Sequence, residues 1–327
     1  MATSELKPLL DSTGDVGDPE LMRQRMEQEG YLFFHSLIPA ERALQVKRDM
    51  LTVLREHHLL EDDGNENPLW SGGPEPTEAE YMVVYDRLVR LESLLQLAHS
   101  PEIVNVLESV AGEPVNLWEQ KLIRIVYPDP EMTAPQGVGA HQDGDPKLAY
   151  QASRFYTGWI SLMEIDRNIG GLAIAPQSHQ QGILHSSGSV ASSSSAAARS
   201  DYGLDSTTLP WRSAEFRPGS AILFHCHTPH RGLANHSDRL RLSCDFRYQP
   251  ASETASWIAH TPGPDVRRIG QQVDAVIASR ALYVTMRASA DVLGAVRQRM
   301  MEEKSTTLAR AQELVVQIRG DSRNPVF

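Results

Sequence analysis

Arg239-Leu240-Arg241-Leu242-Ser243-Cys244-Asp245-Phe246-Arg247-Tyr248 alternates without a break between polar and apolar side chains. A period of two is the signature of a β-strand, whose successive side chains point to opposite faces. Leu240, Leu242, Cys244, Phe246 and Tyr248 are expected to pack on helices or a second sheet. Arg239, Arg241, Ser243, Asp245 and Arg247 make up the other face. On an ordinary surface strand that face is solvated. Inside a barrel it lines a wet cavity rich in guanidinium groups, suited to a dicarboxylate. Arginine grips a carboxylate with two parallel hydrogen bonds, which lysine cannot reproduce.

Working outward, strand-like segments follow one another over residues 116–127, 156–165, 172–175 and 221–225. Turns such as Gly170-Gly171 and Pro218-Gly219 separate several of them. Strands in succession without crossover helices imply an antiparallel sandwich or jelly roll, not a parallel α/β sheet. Helical patterns flank this middle. Leu21, Met22 and Met26 follow Pro19, and Ala43, Val46, Met50, Val53 and Leu54 follow Pro39. The unbroken apolar run Tyr31-Leu32-Phe33-Phe34 between them reads as a buried strand. Residues 64–76 read as a loop, and 88–111 as helix in two pieces broken at Ser100-Pro101. The fold class expected is mainly β with helical flanks.

Three segments follow from this pattern. Residues 1–18 are expected to be a flexible N-terminus and 19–250 the β domain. Residues 251–327 are expected to form a helical extension, covering the core or making a homodimer contact through the patterns at 266–282 and 288–318. Within the domain, an insertion near 183–210 holds a Ser/Ala-rich stretch at 186–200 that cannot bury enough apolar surface to order itself strongly. Lying between two core strands, it reads as a lid over a cavity or as a passive surface loop.

With 31 Lys and Arg against 42 Asp and Glu, the net charge is −11, which argues against broad binding to nucleic acid or anionic membrane. A small-molecule substrate held by a few placed arginines remains compatible with it. No run approaches the roughly 18 apolar residues of a membrane span. The polar start has no apolar signal core, so a cytoplasmic location is expected. Cys226 and Cys244 are too few for a disulfide framework or a Cys-rich zinc site, and read as buried free thiols.

Chemistry gathers at His141-Gln142-Asp143. Two histidines and a carboxylate can occupy one face of an octahedral Fe(II), leaving the other open for co-substrate and O₂. The motif alone carries little weight, since 12 histidines and 42 acids in 327 residues give about 1.5 His-x-acid pairs by chance (12 × 42/327). Placement adds weight. In an extended segment over 140–144, both side chains project to one side, and flanking glycines set the motif at a strand edge. His225, His227, His230 and His236 supply candidates for the third ligand; spacing leaves His227 and His230 both open.

The ordered motifs resemble the phytanoyl-CoA dioxygenase family of Fe(II)/2-oxoglutarate-dependent oxygenases over residues 20–250. The resemblance runs from Gly30-Tyr31-Leu32 through His141-Gln142-Asp143, Trp159–Ile165 and Asn168–Leu172. It continues through Pro176-Gln177-Ser178-His179, Pro218–His225 and His230–Ser237. It implies a double-stranded β-helix, the jelly roll of cupin-like proteins. It also implies His141, Asp143 and His230 as iron ligands and Arg241 as the anchor of the distal carboxylate of 2-oxoglutarate. Gln142 and Trp159 correspond to positions lining the co-substrate pocket in relatives, with Arg124 a further pocket candidate.

Two departures stand out. Gln177 replaces a glycine usual in the Pro-Gly-Ser-His turn. Gly232 stands where relatives commonly carry a small hydroxyl residue, so that hydrogen bond is expected to be either missing or supplied by Ser243. Asp143 is retained, whereas halogenating relatives replace it. The implied reaction is O₂-dependent oxidation, foremost hydroxylation, of a C–H bond in a small or mid-sized specialised metabolite, with 2-oxoglutarate decarboxylated to succinate. Acyl-CoA or amino-acid substrates and desaturating or cyclising outcomes are the alternatives. A non-catalytic jelly-roll binding protein is the rival from another class.

Overall fold

The computed structural model describes residues 6–60, 66–67, 69–70, 78–128, 139–145, 154–184, 204 and 208–253. Most of the 64–76 loop, the Ser/Ala-rich stretch at 186–200 and residues 254–327 lie outside the described residues. So do the expectations placed on them, the lid and the C-terminal dimer contact included. Among the described residues no helix is long and apolar enough to cross a membrane.

Asp18 caps the first helix, α1 (Pro19–Glu29), its Oδ1 accepting from the Leu21 N–H at 3.0 Å. Pro19 sits in the first turn, where its missing N–H has no helical partner to lose. Gly30 ends the helix at φ 81°, a conformation costly for any residue with a Cβ, and returns its N–H to the Met26 carbonyl. The chain then enters β2 (Tyr31–Phe34), all four residues buried. Next comes α2 (Ala40–Glu56), burying Ala43, Val46, Met50, Val53 and Leu54 as their spacing predicts. The break at Ser100-Pro101 separates α4 (Glu92–Ala98) from α5 (Pro101–Ala111). Ahead of them, α3 (Glu78–Leu88) forms where sequence patterning gave no helix, because its apolar residues make no clean stripe.

The large sheet runs in the order β2–β7–β4–β9–β3, antiparallel throughout, from β3 (Val115–Val126), β4 (Tyr156–Ser161), β7 (Ala221–His225) and β9 (Arg241–Pro250). The small sheet runs β1–β6–β5–β8, from β1 (Lys7–Pro8), β6 (Arg212–Ser213), β5 (Leu172–Ile174) and β8 (His230–Gly232). Two facing sheets with helices on one side form the double-stranded β-helix expected. Register decides which residues share the inner face, since directly paired residues point the same way. Trp159 pairs with Asp245, Thr157 with Arg247, Arg124 with Ser243, and Val126 with Arg241. The opposite face of β9 is the apolar one: Leu242, Cys244, Phe246 and Tyr248 are buried in the main core. Tyr248 donates its hydroxyl to the Ala98 carbonyl at the end of α4.

Three expectations need correction. Residues 6–18 are not a loose end. β1 pairs in parallel with β6, Leu9 is buried, and the Ser12 N–H donates to the Phe33 carbonyl at 2.7 Å. Arg25 secures the segment by donating to the Asp11 carbonyl and the Ser12 hydroxyl. The strand expected over 156–165 stops at Ser161, where the chain turns; Ile165 bridges Phe216 instead. Residues 140–144 are not extended throughout. The chain is extended at His141 and then turns, with the Asp145 N–H donating to the Gln142 carbonyl.

Candidate active site

His141 and His230 meet through their backbones. Each N–H donates to the other's carbonyl, at 3.0 and 2.9 Å, which joins residue 141 to β8 as an isolated antiparallel bridge. The imidazoles lie side by side with ring centroids 4.1 Å apart. His141 Nδ1 sits 2.7 Å from the Gly139 carbonyl, and His230 Nδ1 sits 3.0 Å from the Thr228 carbonyl. A carbonyl only accepts, so each Nδ1 carries the proton and each Nε2 presents a lone pair. The turn after His141 brings Asp143 round to the same point. Its Oδ1 is 3.5 Å from His141 Nε2 and 3.8 Å from His230 Nε2. All three side chains are buried, and their donor atoms lie within 4.8 Å of one another. Two nitrogens and one carboxylate oxygen are the donor set of a facial site for a divalent iron-like ion.

Ionisation agrees with that use. Burial holds His230 down to about 3, so the imidazole is neutral at physiological pH. Burial alone would raise Asp143, but the Arg247 guanidinium and the neighbouring imidazoles hold it well below the usual carboxylate range. Both groups thus stand in the form that binds a cation. Arg247 NH2 donates to both Asp143 oxygens at 3.1 Å, and the Thr157 hydroxyl donates to Oδ2 at 2.6 Å. Arg247 NH1 donates to Asp245 Oδ2 at 2.9 Å, and Arg124 grips the same carboxylate with two bonds, 2.8 and 3.2 Å.

Arg124, His141, Thr157, Trp159, Leu172, Phe224, His230, Gly232, Arg241 and Asp245 line a cavity with about 390 Å³ of empty space, its mouth included. Arg241 is 4% exposed. Its NH1 donates to the carbonyls of Gly170, Gly171 and Leu233, which orient the head, while its Nε–H has no partner among the described residues. Burial, helped by repulsion from Arg124, pulls it down to about 10, so it remains charged at neutral pH. Two carboxylates, Asp143 and Asp245, balance Arg247 and Arg124. Among the described residues no carboxylate pairs with Arg241. Ser243, buried and next along the inner face of β9, is not among the residues lining the cavity, and its hydroxyl has no partner among the described residues. A buried cation in the cavity that His141 and His230 line fits a dianionic co-substrate such as 2-oxoglutarate.

Trp159 reaches the cavity, packed edge-on against Phe216 at 4.8 Å. Arg124 reaches it too, already paired with Asp245, which raises its pKa against the effect of burial. Gln142 does not line this cavity. Its amide is fully used by backbone groups, donating to the carbonyls of Gly182 and His227 and accepting from the Leu184 N–H. Of the alternative ligands, the His225 ring lies near His179 and Tyr156, and the His227 ring lies against Gly144. Donor atoms of His225, Cys226 and His227 also lie within 4.8 Å of one another. That grouping is poorly suited to a cation. His225 Nδ1 already accepts from the His227 N–H, and the Cys226 thiol, pushed up to about 12 by burial, packs with Trp118 and Phe155. Sequence reasoning missed Thr157 and the role of Arg247.

Comparison with known proteins agrees with this arrangement. The family model described as Phytanoyl-CoA dioxygenase (PhyH) matches residues 26–243, which contain the triad and Arg241. The 1-deoxypentalenic acid 11-beta-hydroxylase of Streptomyces arenae is 28% identical over 272 residues, 80% of this chain and 92% of its own length. The enzyme of the same name from Streptomyces exfoliatus is 26% identical over 277 residues, with the same coverage. Among solved structures, the epimerase SnoN in complex with Fe3+, alpha ketoglutarate and nogalamycin RO superposes with a TM-score of 0.52 at 19% identity. It covers 76% of this chain and 92% of that one. The alpha ketoglutarate dependent carbocyclase SnoK gives 0.52 at 19% identity, over 78% and 95%. These structures share the fold. With the matched span covering most of the barrel and both halves of the ligand set, the chain belongs to the phytanoyl-CoA dioxygenase family of Fe(II)/2-oxoglutarate-dependent oxygenases.

Proposed function

We propose that this protein is an Fe(II)/2-oxoglutarate-dependent hydroxylase acting on a C–H bond of a small or mid-sized specialised metabolite. The observation that carries the reading is the unbalanced, buried guanidinium of Arg241 in the same cavity as the His141–Asp143–His230 donor set. Relatives that hydroxylate 1-deoxypentalenic acid support the reaction type.

In this reading His141 Nε2, His230 Nε2 and Asp143 Oδ1 hold the iron. Fe(II) with 2-oxoglutarate and O₂ supplies the oxidising power, the diacid leaving as succinate and CO₂. The chain's own contribution is orientation. Carbonyls of Gly139 and Thr228 fix the imidazole tautomers. Arg241 receives the distal carboxylate with its head held by three carbonyls, and Ser243 donates the hydroxyl that Gly232 cannot. Trp159, Leu172 and Phe224 form apolar walls that keep water from the reacting centre. Retention of Asp143 favours oxygenation over halogenation. A cytoplasmic location and a small-molecule partner complete the proposal, in keeping with two buried free thiols and a net charge of −11.

The test is anaerobic addition of 2-oxoglutarate to Fe(II)-loaded protein. A visible charge-transfer band is expected, followed on aeration by succinate release that a panel of metabolites headed by 1-deoxypentalenic acid accelerates. Protein that binds Fe(II) but gives neither band nor succinate overturns the proposal.

A further inference from the structure

Thr157 and Arg247 face each other across the β4–β9 pairing and direct their polar atoms at one carboxylate. Asp143 Oδ2 accepts from the Thr157 hydroxyl at 2.6 Å and from Arg247 NH2 at 3.1 Å. Oδ1 shares the Arg247 contact at 3.1 Å but is the oxygen that faces both imidazole Nε2 atoms. Arg247 is itself immobilised: it is 2% exposed, and its NH1 is bound to Asp245, which Arg124 grips from the far side.

We propose that Arg247 and Thr157 are positioning residues that lock Asp143 as a one-oxygen ligand and thereby keep a coordination position open. The proposal rests on the reading of His141, Asp143 and His230 as the metal site. A carboxylate can offer a metal one oxygen or both. An ion held by His141, Asp143 and His230 together with a chelating keto-acid would lose a position otherwise open to O₂ if Asp143 offered its second oxygen as well. The Thr157 hydroxyl engages Oδ2 alone, and Arg247 NH2, bridging both oxygens, fixes the orientation of the carboxylate, so that together they would hold Oδ2 away. The pair would thus keep that position free.

A purely compensating charge makes the opposite prediction for metal binding. If Arg247 only neutralises Asp143, it competes with the cation, and removing it tightens metal binding. If it positions the carboxylate, removing it weakens metal binding. The experiment titrates the full-length protein and its Arg247→Gln, Arg247→Lys, Thr157→Val and His141→Ala variants with Co(II), following affinity and the ligand-field absorption of the bound ion. Arg247→Gln is expected to lose about 10- to 100-fold in Co(II) affinity, the range for partners that orient metal ligands. Thr157→Val is expected to lose less but in the same direction. Arg247→Lys keeps the charge and loses the fork, so it too is expected to bind more weakly than wild type. In the Gln and Val variants the absorption is expected to change as the carboxylate swings onto the ion. Folded Gln and Val variants with wild-type or tighter affinity and an unchanged spectrum overturn the proposal. Should Arg247→Gln fail to fold, Thr157→Val decides by the same criterion. Wild-type protein that binds no Co(II), or binds it no better than His141→Ala, overturns the metal-site reading instead and takes the clamp with it.

Discussion

Replacing Arg241 by methionine removes the guanidinium and keeps most of the side chain's length and apolar volume. The structure sets the size of two opposed effects. Loss of a buried charge partner costs a bound carboxylate roughly 2–5 kcal/mol. At about 1.4 kcal/mol per factor of ten, that is roughly a 30- to 4,000-fold rise in the Kd for 2-oxoglutarate. Protein stability responds differently. Three hydrogen bonds to the Gly170, Gly171 and Leu233 carbonyls disappear, at about 1 kcal/mol each. Against this, a desolvated cation with no carboxylate of its own is also removed, which relieves a penalty of similar order. The two nearly cancel, so the apo variant is expected to unfold within about 2 kcal/mol of wild type. The assay is anaerobic titration of Fe(II)-loaded protein with 2-oxoglutarate, read by charge-transfer absorption, beside a thermal melt of the apo form. Arg241→Lys, which keeps the charge without the fork, is expected to fall between the two. A methionine variant that binds iron normally and holds 2-oxoglutarate within about threefold of wild type refutes the assignment.

Ser243→Ala removes the orphaned hydroxyl of β9 and is expected to weaken 2-oxoglutarate by about 5- to 10-fold, one hydrogen bond's worth, with no loss of stability; an unchanged Kd by calorimetry removes Ser243 from the site. Gly170→Ala forces a side chain onto a backbone at φ 69°, where the new Cβ would lie 2.1 Å from the Ala234 carbonyl oxygen. A loss of at least about 2 kcal/mol is expected in denaturant melts, and because the Gly170 carbonyl orients Arg241, co-substrate affinity falls as well. Burial holds His99 down to about 4 from 6.5. The unfolded chain therefore takes up this proton first; the native state is fully favoured above pH 6.5 and loses on the order of 3 kcal/mol as pH falls to about 4. His99→Gln is expected to flatten that part of the stability profile, and an unaltered slope counts against the assignment.

The strand over 239–248 was legible from its strict alternation, which left a solvated and a cavity-lining polar face both open; burial of the whole strand decides for the cavity, and the register carries Arg241 to the inner face. The ligand motif was legible in kind. Its local shape was not, since a turn and an extended run both bring His141 and Asp143 to one side. β1, β6 and β8 span two or three residues, too few for any period to register. The polarity of residues 6–18 suggested a loose end, but backbone pairing and a single buried leucine suffice to hold them. Arg247 was visible as a polar residue on the inner face. Its bond to Asp143 depends on the β4–β9 register and on a turn about a hundred residues upstream, which no local pattern encodes. Thr157 left no signal, because one hydroxyl in an apolar strand reads as β-propensity. Gln142 sits in the motif itself, yet spacing could not reveal that neighbouring backbone groups occupy its amide.

The antiparallel bridge between His141 and His230 bears on the order of assembly. A nascent chain that has emerged only as far as Asp143 offers a two-donor chelate, from which divalent ions escape readily. The third donor arrives when β8 docks, and the same pair of backbone bonds that completes the bridge sets the gap between the imidazoles. A chain in which β8 has docked would therefore offer an ion all three donors at a spacing set by the backbone, which a chain lacking that bridge could not.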